Sequence, residues 1–466
     1  MRSSFGLFAV ALLCACQAQV GPPVSDVVES AADGFVRDCA WFANSDPDLL
    51  NIAFPDTAAN YWAAEFAIPP GGEVRISGEF PYARYASYNA YDYKWAAFDS
   101  LADIEIQPDA GSSNPFVAGA DRLVPKRSYT LRVVPDPEPE SPEDREPNTM
   151  YMGYLGQSTP FGHFLYRVYV PDSGADLAGN VDLPRFTYVL ADGTELPSPQ
   201  QCQFLEETRL GLGINDRVAD ASALAGLSTR EGTDPLVWTK FVGLGYSAIE
   251  IARYVPVVAD LPLDAVWQGL AEQFAGSGGN GGFLANQHNA YITATVNSEY
   301  GELVAIAAKA PKTPKTYDNP GVMPDSQLRY WSLCTNDIYS QRYIDCAYDE
   351  QVVVDESGYY TVVISRPENR PANARPECGV TWLHWGPKAD NLLILRHMLA
   401  DPNFEHAVQK VPDASGAEAE VMGPFHPSGR HFSVAEFEAL SIDPQGQSES
   451  CAVNSAGIRG LVPAAP

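Results

Sequence analysis

The sequence predicts a mainly β protein: two tandem β-sandwich or jelly-roll-like halves, related by internal duplication, with a helical insert between them. Three observations predict it. Arg84-Tyr85-Ala86-Ser87-Tyr88-Asn89-Ala90-Tyr91-Asp92 returns as Arg329-Tyr330-Trp331-Ser332-Leu333-Cys334-Thr335-Asn336-Asp337, with Arg, Tyr, Ser and Asp at the same spacing, 245 positions downstream. Further landmarks follow each copy in the same order. Tyr129-Thr130 is answered by Tyr360-Thr361, Tyr151-Met152-Gly153-Tyr154 by Trp382-Leu383-His384-Trp385, and Leu165-Tyr166-Arg167 by Ile394-Leu395-Arg396. Finally, 38 Pro, 37 Gly and 23 Tyr lean the composition towards turns and strands.

Taken in order, residues 1–20 read as a lipoprotein signal and tether. Arg2 precedes a short apolar run, Phe5 to Leu13, too short to span a bilayer. Leu13-Cys14-Ala15-Cys16 resembles a lipobox, which makes Cys16 the acceptor for acylation, with an ordinary signal peptide as the alternative. The chain is then expected outside the cytoplasm, as an outer-membrane, periplasmic or cell-surface lipoprotein. It would be held to membrane lipid through Cys16 and not inserted.

The first half spans 21–202. Val24 to Ala43 has helical spacing, with Val24, Val27, Val28, Ala31 and Phe35 on one stripe. Val74 and Ile76 alternate with Arg75 and Ser77 as a strand, and Tyr82 to Tyr93 is an aromatic strand. An acidic loop, Asp99 to Phe116, carries Asp99, Asp103, Glu105, Asp109 and Asn114. Strands follow at Ser128–Val134, Met150–Tyr154 and Phe164–Val170, and Asp192-Gly193 reads as a hairpin turn.

The insert, 203–285, shifts towards a 3.6-residue period. Helices are expected at Gln203–Leu210 and from Asp260 to Phe274, with Leu236–Tyr254 either a buried helix or two strands. The Gly-rich run Gly276–Gly282 lacks the Gly-Lys-Ser/Thr of a phosphate loop. The second half, 286–466, holds strand character over Asn289–Ala308, a crossover at Ala310–Pro320, a hairpin at Val352–Ile364, strands at Thr381–Trp385 and Leu392–Met398, and a short helix at Phe432–Leu440.

Composition excludes several functions. The net charge is −29, from 59 acidic and 30 basic residues, so nucleic acid and anionic headgroups are repelled. Past the leader stand Cys39, Cys202, Cys334, Cys346, Cys378 and Cys451, an even number that suits disulfides in an oxidising compartment. Cys334 and Cys346 are the expected pair; the other four leave three pairings open. No cysteine–histidine spacing fits zinc, no nucleophile elbow or H-E-x-x-H is present, and no cofactor is implied.

The repeated Arg, Tyr, Ser and Asp support two readings. In the first they are architectural, tying loops and satisfying backbone groups. In the second the copies face a common cleft, where Arg84, Arg167, Arg329 and Arg396 offer forked donors to a polar or anionic molecule, a glycan or a protein partner. Tyr85 and Tyr330 belong to the same guess. Trp382 and His384 share one strand face and could stack on a ring. The competing class is a hydrolase or other enzyme at His384, if a carboxylate stands within hydrogen-bond reach. The acidic loop is weighed as a Ca²⁺ site against a solvated loop, with no metal as the expectation. Ser158 reads as a turn residue, and His426-Pro-Ser-Gly-Arg430-His431 as a surface loop.

The series Arg329 to Asp337, then Tyr360-Thr-Val-Val-Ile-Ser-Arg-Pro-Glu-Asn-Arg-Pro371, then Gly379 to Gly386 and a Leu-Arg strand resembles uncharacterised bacterial secreted proteins and lipoproteins. These are related to the domain of unknown function 1214 and its usual companion, 1254. Here His384-Trp385 replaces the expected Pro, and His397 stands where Leu is usual. The resemblance implies a β-sandwich or jelly-roll architecture and brings no established activity.

Overall fold

The structure is a computed structural model that describes residues 39–45, 51, 54–91, 97–153, 157–208, 232–241, 286–318, 321–338, 340, 342–413, 415–440, 453 and 458. All of them belong to one compact unit, Arg37–Pro466. The first half contains β1 (Trp41–Ser45), β2 (Ala59–Ala67), β3 (Glu73–Glu79), β4 (Ala83–Tyr91), β5 (Ala97–Ala102), β6 (Ser128–Pro137), β7 (Thr149–Gly153), β8 (Phe161–Pro171) and β9 (Arg185–Val189), then helix α1 (Ser198–Thr208). The second contains β10 (Thr239–Lys240), β11 (Asn289–Asn297), β12 (Leu303–Lys309), β13 (Leu328–Asp337), β14 (Arg342–Tyr348), β15 (Tyr359–Ser365), β16 (Val380–His384), β17 (Asp390–Ala400), α2 (Glu418–Met422), β18 (Ser428–Phe432) and α3 (Val434–Glu438).

The first half pairs its strands as β1-β2-β8-β4-β5 and β7-β6-β3-β9, and the second as β10-β11-β17-β13-β14 and β16-β15-β12-β18. Each strand of one half therefore has a counterpart nine labels further on. Even the parallel pairs match, β6 with β7 and β15 with β16. Register matches as well. Ser87 faces Arg167, which faces Tyr61; Ser332 faces Arg396, which faces Tyr291. The repeated motif occupies β4 and β13, the same strand of each unit.

Both halves also carry the same backbone strain at the same place. Val170 and Leu399, three residues past the equivalent Arg167 and Arg396 and next to last in β8 and β17, have φ of 48° and 45°, a region that branched side chains avoid. Each is fixed by a backbone bond, Val170 N–H to Ala58 C=O at 2.8 Å and Leu399 N–H to His288 C=O at 2.9 Å.

The interiors follow from alternation. In β4 the inward set is Ala86, Tyr88 and Ala90, and the outward set Tyr85, Ser87 and Asn89; every residue of the strand is buried because something covers each face. The first interior is aromatic, with Trp41 edge-on to Phe186 at 5.3 Å and Tyr88 against Tyr166 at 5.0 Å. The second is aliphatic, built on Ile292, Leu333, Leu393, Leu395, Val304 and Val362.

Several local expectations are corrected. Val24–Ala43 was expected to be helical, but Trp41 to Ala43 lie in β1 and hydrogen-bond across to β2; the rest of that stretch lies outside the described residues. The acidic loop begins as strand β5, since Ala97 to Ala102 pair with β4, and only then turns at Asp103–Glu105. The hairpin expected over Val352–Ile364 is short on its first arm: Val354 bridges Tyr360 antiparallel across a turn in which Asp355 accepts the Ser357 and Tyr359 N–H groups and Gly358 takes φ 82°, and only the second arm, β15, is a full strand. The last helix starts at Val434, behind a Ser433 cap, because Phe432 is taken by β18. With Tyr129-Thr130 matched to Tyr360-Thr361, Val133 matches Ile364, and their parallel partners are Met150 and Leu383. Matching Met152 with Leu383 in the sequence is thus two residues out of register. Most of the insert, including Asp260–Phe274 and Gly276–Gly282, and both Cys16 and Cys451 lie outside the described residues.

Candidate functional site

The repeated arginines meet across the seam between the halves. Arg84, fully buried in the first half, donates through Nη1 to both oxygens of Asp349 in the second, at 2.6 and 2.7 Å. It also pairs with Glu350 and donates through Nε to Thr316 Oγ1 at 3.1 Å. Arg329, its counterpart, reaches the opposite way, to Asp103 of the first half at 3.1 Å. Asp103 and Asp349 are themselves equivalent, one residue past the strand positions Ala102 and Tyr348 that face Ser87 and Ser332. Each also accepts the backbone N–H after the motif Tyr: Ala86 to Asp103 at 2.7 Å and Trp331 to Asp349 at 3.3 Å. The seam is a pseudo-two-fold exchange of guanidinium for carboxylate. Burial pushes the Asp103 carboxyl up to about 6, opposed by the Arg329 charge.

The motif tyrosines cross the same seam. Tyr330 O–H donates to Asp56 Oδ1 at 2.7 Å, and Ser332 O–H to Asp56 Oδ2 at 2.6 Å. Asn286 stands where Asp56 does, and it donates to the Tyr85 oxygen at 3.4 Å. Both cap the same turn, Asp56 Oδ1 accepting Ala58 N–H and Asn286 Oδ1 accepting His288 N–H. Tyr85, Tyr169, Tyr330 and Met398 pack as one apolar cluster. Arg84, Arg329, Tyr85 and Tyr330 thus each bond across the seam. At the motif's last position Asp337 pairs with Lys388 at 2.9 Å, and Asp92 lies outside the described residues.

Arg167 and Arg396 are placed differently. They sit mid-strand on β8 and β17, buried, on the sheet faces that look outward from each sandwich. Arg167 donates to Asn89 Oδ1 and to the Tyr91 hydroxyl at 2.7 Å, and its guanidinium lies 5.7 Å from the Tyr61 ring. Arg396 donates to Phe54 C=O at 2.6 Å and to Cys334 Sγ at 2.9 Å, 5.8 Å from the Tyr291 ring, with Asp56 at 3.7 Å. Tyr61 and Tyr291 are half-buried. Burial raises the pKa of each phenol, and the charges of both arginines act on each to lower it. Two guanidiniums and the hydroxyls of two half-buried tyrosines therefore share one electrostatic neighbourhood. Arg396 also crosses the seam, to Phe54 C=O and towards Asp56 of the first half, whereas the bonds of Arg167 to Asn89 and Tyr91 stay within its own half.

Trp382 and His384 lie elsewhere, half-buried on β16, with rings 6.0 Å apart. Trp382 donates to Ser365 Oγ at 2.9 Å and stacks under Arg370 at 4.5 Å. The His384 Nδ1 accepts Gly386 N–H at 2.7 Å, and the nearby Asp345 takes the His384 backbone N–H instead of its ring. Among the described residues no carboxylate stands within hydrogen-bond reach of the His384 imidazole. The acidic loop is likewise committed: Asp99 pairs with Arg145 at 2.6 Å, and Asn114 holds the Asp103 and Ile106 carbonyls. His426 and His431 do not share a surface turn, since His431 points into the structure from β18 towards Asp234 at 3.4 Å, and burial pushes His426 down to about 4.

One constellation went unseen in the sequence. His288 bridges the seam, with Nδ1 at 3.1 Å from the Tyr85 hydroxyl and Nε2 at 3.0 Å from Glu105. Asn286 donates to the same Tyr85 oxygen, so amide, phenol, imidazole and carboxylate form one chain across the seam. The second copy has no such chain, since Ala58 and Gln351 fill the equivalent places. Comparing the two copies residue by residue is the signal that finds it. With Tyr85 fully buried, the chain ties the halves and offers no open hydroxyl.

No family model and no curated protein matches the chain. Among solved structures it is similar to an uncharacterised protein from Burkholderia cenocepacia, at 14% identity and a TM-score of 0.45, over 86% of this chain and 83% of that one. It is also similar to the VPA0106 protein from Vibrio parahaemolyticus, at 11% identity and a TM-score of 0.37, over 83% and 93% of the two chains.

Proposed function

We propose that this chain is an exported β protein, anchored to membrane lipid through Cys16, that binds a small polar or anionic molecule or a glycan between its halves, over Arg167 and Arg396. The observation that carries this reading is that Tyr61 and Tyr291, each half-buried, both stand in the field of the two guanidiniums. Aromatic walls over forked donors suit a ligand with a ring face and several oxygens. The disulfides Cys39–Cys202 and Cys334–Cys346 support an oxidising compartment. The resemblance to exported proteins of unknown function points the same way and adds no chemistry.

The test is a thermal-shift screen of the mature chain with sugars, dicarboxylates and phosphate esters. A ligand at a hundred times its dissociation constant stabilises by about 2.7 kcal/mol, which is a rise of a few degrees. Tyr61→Ala and Tyr291→Ala are each expected to remove most of that rise, while Arg370→Ala beside Trp382 leaves it. A rise that survives both tyrosine changes places the ligand elsewhere.

A further inference from the structure

One strand pairing differs in kind between the halves. Asn89 faces Ser100 across β4 and β5; at the equivalent positions Cys334 faces Cys346 across β13 and β14, and the two are joined. The first half keeps this strand pair without a covalent link, so the bridge is not what pairs the strands. Chemistry gathers around it instead. The Arg396 guanidinium donates to Cys334 Sγ at 2.9 Å, and an Asp56 carboxylate oxygen lies within 4.8 Å of both sulfurs. Asp56 is itself fixed by Tyr330, Ser332 and the Ala58 N–H. Cys334 is fully buried on an interior strand, β13, whereas Cys346 lies on the edge strand, β14. A thiolate formed at Cys334 would be met by a cation, and a sulfur whose thiolate is stabilised leaves more readily.

We propose that Cys334–Cys346 is a thiol–disulfide exchange site that a dithiol opens in the folded protein, with Cys334 as the leaving group. One thiolate of the dithiol bonds to Cys346 Sγ. The Cys334–Cys346 bond breaks, and its electron pair goes to Cys334 beside Arg396. The second thiol of the dithiol then displaces Cys346, passing its proton to the Cys346 sulfur as the dithiol leaves oxidised to a disulfide. The protein gains two electrons and the dithiol loses two.

The experiment treats the folded, mature protein with graded dithiothreitol, quenches it with an alkylating agent and reads each cysteine by peptide mass spectrometry. Near-ultraviolet circular dichroism reports the fold throughout. Cys334 and Cys346 are expected to open about tenfold faster than Cys39 and Cys202, with the fold signal intact. Arg396→Met is expected to slow opening by about tenfold and move the pH profile of Cys334 alkylation upward, and Arg396→Lys to retain most of the rate. Asp56→Asn, which supplies the amide that Asn286 already has in the other copy, is expected to speed alkylation, and it stands as the test if Arg396→Met does not fold. Opening no sooner than Cys39–Cys202, or only with loss of the fold signal, overturns the proposal. So does an alkylation profile that neither Arg396→Met nor Asp56→Asn moves.

Discussion

Arg84→Met is expected to destabilise the protein by about 3–5 kcal/mol, the range for removing one partner of a buried ion pair. Arg84 has no exposed surface, and the change leaves Asp349 and Glu350 facing each other without their cation. Asp349 keeps the Thr313 hydroxyl and the Trp331 N–H, and neither of these neutralises its charge. Arg329→Met removes a single carboxylate partner, because Ile104 stands where Glu350 does. Its loss is therefore expected to be the smaller of the two. Denaturant unfolding, with the slope checked for two-state behaviour, measures both. Equal and small effects at the two sites would mean that the seam carries little of the stability.

The second large effect is on pH. Burial among Trp331 and the aliphatic residues of the second sandwich pushes His397 down to about 3, so the folded protein keeps it neutral and uses Nδ1 to accept the Val408 N–H at 3.2 Å. An unfolded histidine takes a proton near its ordinary pKa of about 6.5. The unfolded state then binds more protons, and stability rises with pH between these values. This contribution is complete above about 6.5 and is lost as pH falls towards about 3, amounting to about 3 kcal/mol by pH 4. Asp103 acts in the opposite sense. Its folded pKa, raised to about 6, means that the folded state holds a proton the unfolded state has released, so stability falls as pH rises through about 4 to 6. Comparing the protein with His397→Leu isolates the histidine. The variant should start less stable at neutral pH, having lost the Val408 acceptor, and should lose less between pH 6.5 and 4. Parallel profiles would show that His397 is not held neutral.

The duplication was legible in the sequence because the motif lies on strands, where a period of two fixes which residues share a face. Arg84-Tyr85-x-Ser87 and Arg329-Tyr330-x-Ser332 keep both spacing and register for this reason. Their role was harder to read. The carboxylates they answer to lie outside the motif, at Asp103 and Asp349, and each belongs to the other copy. Sequence spacing suggests that a motif Arg pairs with its own motif Asp; chain topology decides otherwise, because β5 and β14 carry the acidic turn to the seam. His384 attracted attention as a histidine between two tryptophans, yet its ring only closes a turn onto Gly386. His288 attracted none, since nothing local marks it. Its importance comes from Tyr85 and Glu105, about 200 positions away along the chain. The disulfide between Cys334 and Cys346 was legible from closeness alone, but its neighbours Arg396 and Asp56 were not.

That two copies of one β unit grip each other by exchanging arginines is best tested by the coupling free energies of Arg329. Double-mutant cycles with Asp103 and with Asp349 should give about 2 kcal/mol or more for Asp103, its partner across the seam. The coupling to Asp349, which stands on Arg329's own side, should be near zero. The reverse order, with Arg329 bound energetically to Asp349, would contradict the crossed seam and the duplication it records.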